Sequence, residues 1–366
     1  MDFARSLLAT VLCSAAMNGA AAADFTFEPA ARKFAHLPAG VAYPEGIAVD
    51  PASGDVFVST ADFTFSTGQP NRLLRFDKNG NFEAMRDIGG APVLGLLFDQ
   101  GSIYFTNAGA LIGGSSSIQR LPANFSSTTA IQTVTIVPSI GAPANRSVAN
   151  ADGSTDVIDF GSNGAALPNA MALRRSNAAG ATLYYSDSFQ GAIFAVPNFD
   201  QCAQPCGSTV ISNDPLLATA GHSVGVAANG IALDATGSQL FIANLGDDRI
   251  LRLQLATGQV TVLTEDIARP DGLARDAKGN IWVCSATNNE LVVVNPAGQV
   301  IAKLGAFKGV NDQGRVQGLL GPASLAFVGK KVLVTNFVIP VLGTYALAPS
   351  VTSFTIAELD IPPALQ

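Results

Sequence analysis

The stretch "RPDGLARDAKGNIWVCSA", residues 269–286, decides the fold. Two short apolar runs flank "DAKGN", a polar turn containing glycine. That is the pattern of two antiparallel strands joined by a tight connection. A bare carboxylate, Asp271, stands in front of the first run. Whether it is a turn residue or points at something depends on how often the pattern recurs.

It occurs six times. The others are "YPEGIAVDPASGDVFVSTAD" (43–62), "PVLGLLFDQGSIYFTNAG" (92–109), "LPNAMALRRSNAAGATLYYSDS" (167–188), "AANGIALDATGSQLFIANLG" (227–246) and "GPASLAFVGKKVLVTNFV" (321–338). Most units continue into a third strand, such as "ILRLQL" or "LVVVNP", and often a fourth, such as "QVTVLT". Six units of about four strands predict an all-β protein, a six-bladed β-propeller of four-stranded antiparallel blades. The unit starts are spaced by 49, 75, 60, 42 and 52 residues, against about 40–50 for propeller repeats. Insertions at 138–166 and 200–225 account for the two long gaps. The segment 25–39 has no blade of its own and is expected to supply the outer strand of the last blade, closing the ring and removing an exposed edge. No long amphipathic helix is predicted, which disfavours a βαβ fold.

The chain has 366 residues, 48% hydrophobic and 13% charged, with 36 glycines and 20 prolines. This is a globular, turn-rich composition. The formal net charge of −7 and the absence of a long basic run argue against nucleic acid and anionic membranes as partners. Arg5, the apolar run from Leu7 to Ala16 and the "AAA" before Asp24 read as a secretory signal peptide over 1–23. The mature chain 24–366 is then one propeller domain, secreted or periplasmic and expected to be monomeric, with no membrane anchor. Export permits disulfides, and Cys202 and Cys206 in "DQCAQPCGS" are the expected pair. Cys284 reads as a buried, unpaired core residue.

In a propeller the innermost strands line the central axis. The equivalent position in the six units holds Glu45, Leu94, Asn169, Asn229, Asp271 and Ala323. Two carboxylates and two amides form a hard-oxygen set of formal charge −2, suited to a divalent cation. Calcium, which accepts about 6–8 oxygen ligands, comes first, with Mg2+, Mn2+ or Zn2+ as alternatives. Each of these residues alone reads as a turn cap; four at one repeat position read as a site. The second strands end in Thr60, Asn107, Asp187, Asn244, Ser285 and Asn336, of which Asn107 and Asp187 are the better candidates to touch substrate. Phe63, Phe65, Phe189 and Phe337 follow these ends as an apolar rim. His222, in "TAGHSVGVAANG", is either an ordinary loop histidine or a general acid/base overhanging the site.

These motifs resemble the senescence-marker-protein/gluconolactonase family of six-bladed propellers, which includes regucalcin, and more distantly the paraoxonases. The likeness in organisation covers residues ~40–340 and is strongest at "YPEGIAVD", "ANGIALDATG" and "RPDGLARDAKGNIWV". It implies Glu45, Asn229 and Asp271 as metal ligands. It makes Asn169 a further ligand or a substrate contact. The chain departs from the family at Leu167, where the sugar-lactone enzymes carry arginine, and at Gly272, where the paraoxonases carry asparagine. The implied activity is metal-dependent hydrolysis of a lactone or ester, with Asp271 as ligand and proton acceptor and a small molecule as substrate. The alternative is a non-catalytic secreted propeller, its metal structural, that binds a ligand or a protein partner.

Overall fold

The structure is a computed structural model that describes residues 26–27, 31–65, 67–141, 143–149, 152–160, 165–176, 180–220, 225–340 and 347–366. The expected signal peptide and His222 lie outside these residues. Six antiparallel sheets of four strands follow one another along the chain. Their inner strands are Pro44–Val49, Val93–Asp99, Pro168–Ser176, Ala228–Leu233, Pro270–Arg275 and Pro322–Val328. Each packs against the next, and the sixth packs against the first. The ring is therefore closed, as the repeat predicts. Among the described residues, no helix is long and apolar enough to cross a membrane.

The chain's beginning closes its end. Blade six takes three strands from the C-terminal part of the chain, and its outer strand is Arg32–His36, paired antiparallel with Thr355–Asp360. The sequence reading did not anticipate one addition: Thr26–Phe27 runs parallel to Val300–Leu304 and extends blade five to five strands. The insertion at 138–166 carries a separate hairpin, Arg146–Ala149 with Thr155–Ile158. The insertion at 200–225 carries the bond between Cys202 and Cys206, whose Cα atoms are 5.7 Å apart. That loop docks on blade two, where Cys206 N–H donates to the Val134 carbonyl and Thr135 Oγ1 to the Cys206 carbonyl.

Period-two alternation in each strand sends apolar side chains to both faces of a blade, and each face meets a neighbouring blade. The core is accordingly divided. Six buried clusters fill the six seams between blades, for example Phe57, Leu73, Ile103 and Phe105 between blades one and two. Trp282, Leu291, Val332 and Val334 do the same between blades five and six. A seventh cluster, Ala61, Leu94, Ala108 and Leu167, belongs to no seam and lies at the end of the ring where the inner strands begin.

Candidate metal and substrate site at the propeller axis

The inner strands share a second regularity. In every one the pairing register shifts once, and at the same place: Pro44 pairs with Thr60, but pairing resumes only at Ile47 with Val58. The same slip separates Val93 from Leu96, Pro168 from Met171, Ala228 from Ile231, Pro270 from Leu273 and Pro322 from Leu325. The slip is a β-bulge, a device that re-aims side chains. In each blade the bulge contains the predicted axis residue: Glu45, Leu94, Asn169, Asn229, Asp271 or Ala323. All six are buried.

The residue after each axis position is small: Gly46, Gly95, Ala170, Gly230, Gly272 and Ser324. Backbone from the next blade requires this. A Cβ on Gly46 would lie 2.2 Å from the Leu94 carbonyl oxygen, and one on Gly272 would lie 2.5 Å from that of Ala323. Hydroxyls on the second strands then clasp blade to blade. Ser59 Oγ accepts from Gly46 N–H at 2.8 Å and donates to the Leu94 carbonyl at 2.5 Å. Ser186 accepts from Ala170 N–H and donates to the Asn229 carbonyl at 2.6 Å. Thr335 accepts from Ser324 N–H and donates to the Glu45 carbonyl, also at 2.6 Å, across the seam where the ring closes. Thr106 donates to the Asn169 carbonyl at 3.1 Å. The equivalent positions in blades four and five are Ala243 and Cys284, which bring no hydroxyl.

Two carboxylates share this buried ring without a cationic partner among the described residues. Burial, reinforced by the charge of Asp271, raises the Glu45 carboxyl well above its ordinary range. Burial pushes Asp271 up to about 7, opposed by a hydrogen bond from Asn229. Like charges in a desolvated site cannot both ionise cheaply, so the pair retains a proton when no cation is present. Cys284 lies close enough to feel both: its thiol is raised first by burial, then by Asp271 and Glu45.

Whether these residues suit a divalent cation can be tested on their free atoms. Glu45 Oε2 is buried and has no hydrogen-bond partner. Asn169 ties its amide nitrogen to Ser188 Oγ at 3.1 Å, which leaves its amide oxygen available. The donor set is two carboxylates and two amides, all hard oxygen. No group of three or more His, Cys, Asp and Glu side chains with ligand spacing occurs among the described residues, so the fit depends on the amide oxygens as well as the carboxylates.

The second-strand ends divide differently. Thr60, Asn244, Ser285 and Asn336 are capping residues: Asn244 Nδ2, for instance, donates to the Leu216 and Ala218 carbonyls, and Ser285 Oγ to that of Ala268. Asp187 is fully buried, and its carboxylate accepts from the backbone of Leu167, Phe189 and Gln190 and from the Gln190 side chain. It fastens the corner that carries Leu167 and Phe189 rather than reaching the opening. Asn107 makes no side-chain hydrogen bond among the described residues and stays 8% exposed. Phe63, Phe189 and Phe337 pack on the apolar cluster of Leu94 and Leu167, and Phe63 meets Phe337 edge to face. Phe65 departs from the expectation. It is 53% exposed and outside that cluster, because loop residues follow no side-chain period.

A closed six-bladed ring with an oxygen-lined axis defines the class of protein. Residues 225–306, spanning blades four and five, match the family model described as SMP-30/Gluconolactonase/LRE-like region. That stretch is similar to the SMP-30/gluconolactonase family, and the whole chain is a six-bladed propeller. No curated protein matches the sequence. Among solved structures it is similar to regucalcin, a calcium-binding protein from Agrobacterium tumefaciens, at 15% identity and a TM-score of 0.55, covering 93% of this chain and 99% of that one. It is also similar to a gluconolactonase from Xanthomonas campestris, at 14% identity and a TM-score of 0.51, covering 88% and 87%. A catalytically inactive virginiamycin B lyase from Staphylococcus aureus, with quinupristin, gives 14% identity and a TM-score of 0.52, covering 89% and 98%. At these identities the likeness is one of fold.

Proposed function

We propose that the protein is an exported, metal-dependent hydrolase of lactones or related esters, with its site at the propeller axis. One observation carries the reading. A bulge repeated in every inner strand gathers Glu45, Asn169, Asn229 and Asp271 into one buried ring, where the carboxylates have no counter-cation and Glu45 Oε2 has no partner. Glu45, Asn229 and Asp271 hold a divalent cation, calcium by the character of the donors, and Asn169 is a fourth ligand or a substrate contact. When bound, such an ion supplies polarisation of a carbonyl and activation of water.

The remaining work belongs to the chain's own groups. Asp271 accepts the proton that the attacking water releases, with Asn229 holding its carboxylate in place. Asn107, which makes no side-chain hydrogen bond among the described residues, orients the ester. Leu94, Leu167, Phe63, Phe189 and Phe337 exclude water from one side of the mouth and take the apolar part of the substrate. The gluconolactonase and regucalcin likenesses agree with this reading. The lyase likeness shows that the same ring serves other chemistry, so products must be identified rather than substrate loss alone.

The test is a screen of lactones and aryl esters with calcium, magnesium, manganese or zinc, and with chelator. Hydroxy-acid products that vanish on chelation and return with metal are expected. Full turnover in chelator, or no bound divalent ion in protein purified with calcium, overturns it. The alternative, a ligand-binding propeller with a structural cation, draws on one finding: most polar groups at the second-strand ends are committed to capping. It predicts bound metal without turnover of any ester.

A further inference from the structure

A second ring lies one step towards the mouth. Two residues before each axis position stand Tyr43, Pro92, Leu167, Ala227, Arg269 and Gly321. Their equivalence is fixed by hydrogen bonds: in every blade the carbonyl of this residue accepts the N–H of the residue just past the second strand, from Ala61 to Tyr43 through Ala286 to Arg269 and Phe337 to Gly321. Arg269 is the one cation in this ring.

Its guanidinium has no partner among the described residues. Nη1 is buried without an acceptor, and no side-chain hydrogen bond or ion pair involves Arg269 among the described residues. Arg252 and Arg315 also bury an unsatisfied nitrogen, but each makes another bond, to Pro296 and Gln313 respectively, and Arg75 Nε pairs with Glu83 at 3.0 Å. An arginine N–H removed from water without an acceptor is costly and calls for an explanation. The backbone adds to that cost. Arg269 sits at φ +44°, directly before Pro270, where a side chain disfavours the left-handed region. It is held there from both sides, by its N–H to Asp248 Oδ1 at 2.7 Å and by its carbonyl from Ala286 N–H. The same left-handed backbone before proline recurs at Tyr43 and Gly321 of this ring, so it belongs to the repeat position, and the unpartnered guanidinium is what sets Arg269 apart.

The rest of the mouth indicates what the guanidinium meets. The apolar cluster spans blades six, one, two and three. In a ring of six, blade five stands opposite blade two, so the Arg269 position lies across the axis from this wall. We propose that Arg269 anchors a carboxylate on an otherwise apolar substrate, whose body lies against Leu94, Leu167 and the phenylalanines. This rests on the reading of the axis as the substrate site. The substrate class is thereby narrowed to lactones or esters with an apolar chain and a free carboxylate.

The test uses a matched pair of medium-chain lactones, one ending in a methyl group and the other in a carboxylate, with wild type, Arg269→Gln and Arg269→Lys. Wild type is expected to favour the carboxylate through KM. Arg269→Gln should raise that KM by about 10–100-fold, the scale of one charge-assisted hydrogen bond, and leave the methyl lactone within about threefold. Arg269→Lys should restore part of the preference. Because Nη1 bonds nothing, the thermal midpoint of Arg269→Gln should equal or exceed that of wild type. Equal effects on both lactones, or no wild-type preference, overturn the proposal. If neither lactone is hydrolysed, binding of the carboxylate-bearing hydroxy acid is measured by calorimetry. Binding lost in Arg269→Gln sustains the anchor while the hydrolase reading falls, and binding equal in both proteins removes the anchor.

Discussion

Replacing Thr335 with valine separates the clasp from the shape of the residue that makes it. Valine keeps the branched volume and removes only the hydroxyl. Thr335 Oγ1 is fully buried and serves two groups: it donates to the Glu45 carbonyl at 2.6 Å and accepts from Ser324 N–H at 3.0 Å. Removing it strips one partner from a buried acceptor and one from a buried donor. Each such loss costs about 1–3 kcal/mol, so Thr335→Val should destabilise the fold by roughly 2–6 kcal/mol. Thr335→Ser retains both bonds and loses one methyl, costing about 1 kcal/mol.

The site should register the change more than a purely structural residue would. The Glu45 carbonyl is fixed by blade six, so freeing it loosens one carboxylate of the ring. Denaturant unfolding gives the stability difference, and calorimetry with calcium gives the affinity. Thr335→Val should bind the ion at least tenfold more weakly, and Thr335→Ser within threefold of wild type, the tenfold corresponding to about 1.4 kcal/mol. Val and Ser variants of equal stability, or a Val variant with wild-type affinity, refute the reasoning.

Further outcomes follow from the same ring. In chelated protein, Asp271 titrates near 7 against an ordinary value of 3.8, so the folded state holds a proton that the unfolded state has lost. Stability should therefore fall as pH rises from about 4 to 7, by up to roughly 4 kcal/mol. Saturating calcium should flatten that fall, Asp271→Asn should leave only the part that the buried Glu45 carboxyl contributes, and a flat profile in chelated wild type counts against a coupled pair. Gly46→Ala places a Cβ 2.2 Å from the Leu94 carbonyl oxygen, so it should cost about 2 kcal/mol or more in a melting experiment. Leu94→Ala removes an apolar wall residue at an axis position without oxygen, so metal content by elemental analysis should stay at the wild-type value while stability drops about 2–4 kcal/mol. Reducing Cys202–Cys206, which closes a span of four residues, should lower stability by about 2 kcal/mol, read by denaturation with and without reductant.

The positions of Glu45, Asn169, Asn229 and Asp271 were legible because a repeat aligns them: once six strand pairs are in register, one column of the alignment is the axis. The bulge was not legible as such, since it is defined by which residues pair across strands. Its signal was the small residue after each axis position, from Gly46 to Ser324. The clasps left a trace too, a lone hydroxyl near the end of an apolar run in "VFVST", "IYFTN" and "VLVTN". Arg269 left none. In sequence it is only a basic residue before proline, and its want of a partner exists only once the blades surround it. The capping of Asp187 and Asn244 was equally hidden, because their acceptors and donors come from loops without period.

These hidden features bear on one side of the ring. The carbonyls of Glu45, Leu94, Asn169 and Asn229 are each clasped by a hydroxyl from the preceding blade. Those of Asp271 and Ala323 face Ala243 and Cys284 instead. A hydroxyl at either position would add a buried donor close to the carboxylate that titrates near 7, and would favour its ionised form. Leaving it out withholds one fixed dipole from Asp271, whose carboxylate keeps the hydrogen bond from Asn229. The clasped side of the ring thus carries the amides and Glu45, and the unclasped side carries Asp271, the proposed proton acceptor. Arg269 stands on that same blade, two residues away, so the carboxylate it is proposed to anchor enters above Asp271, a proposed ligand of the cation.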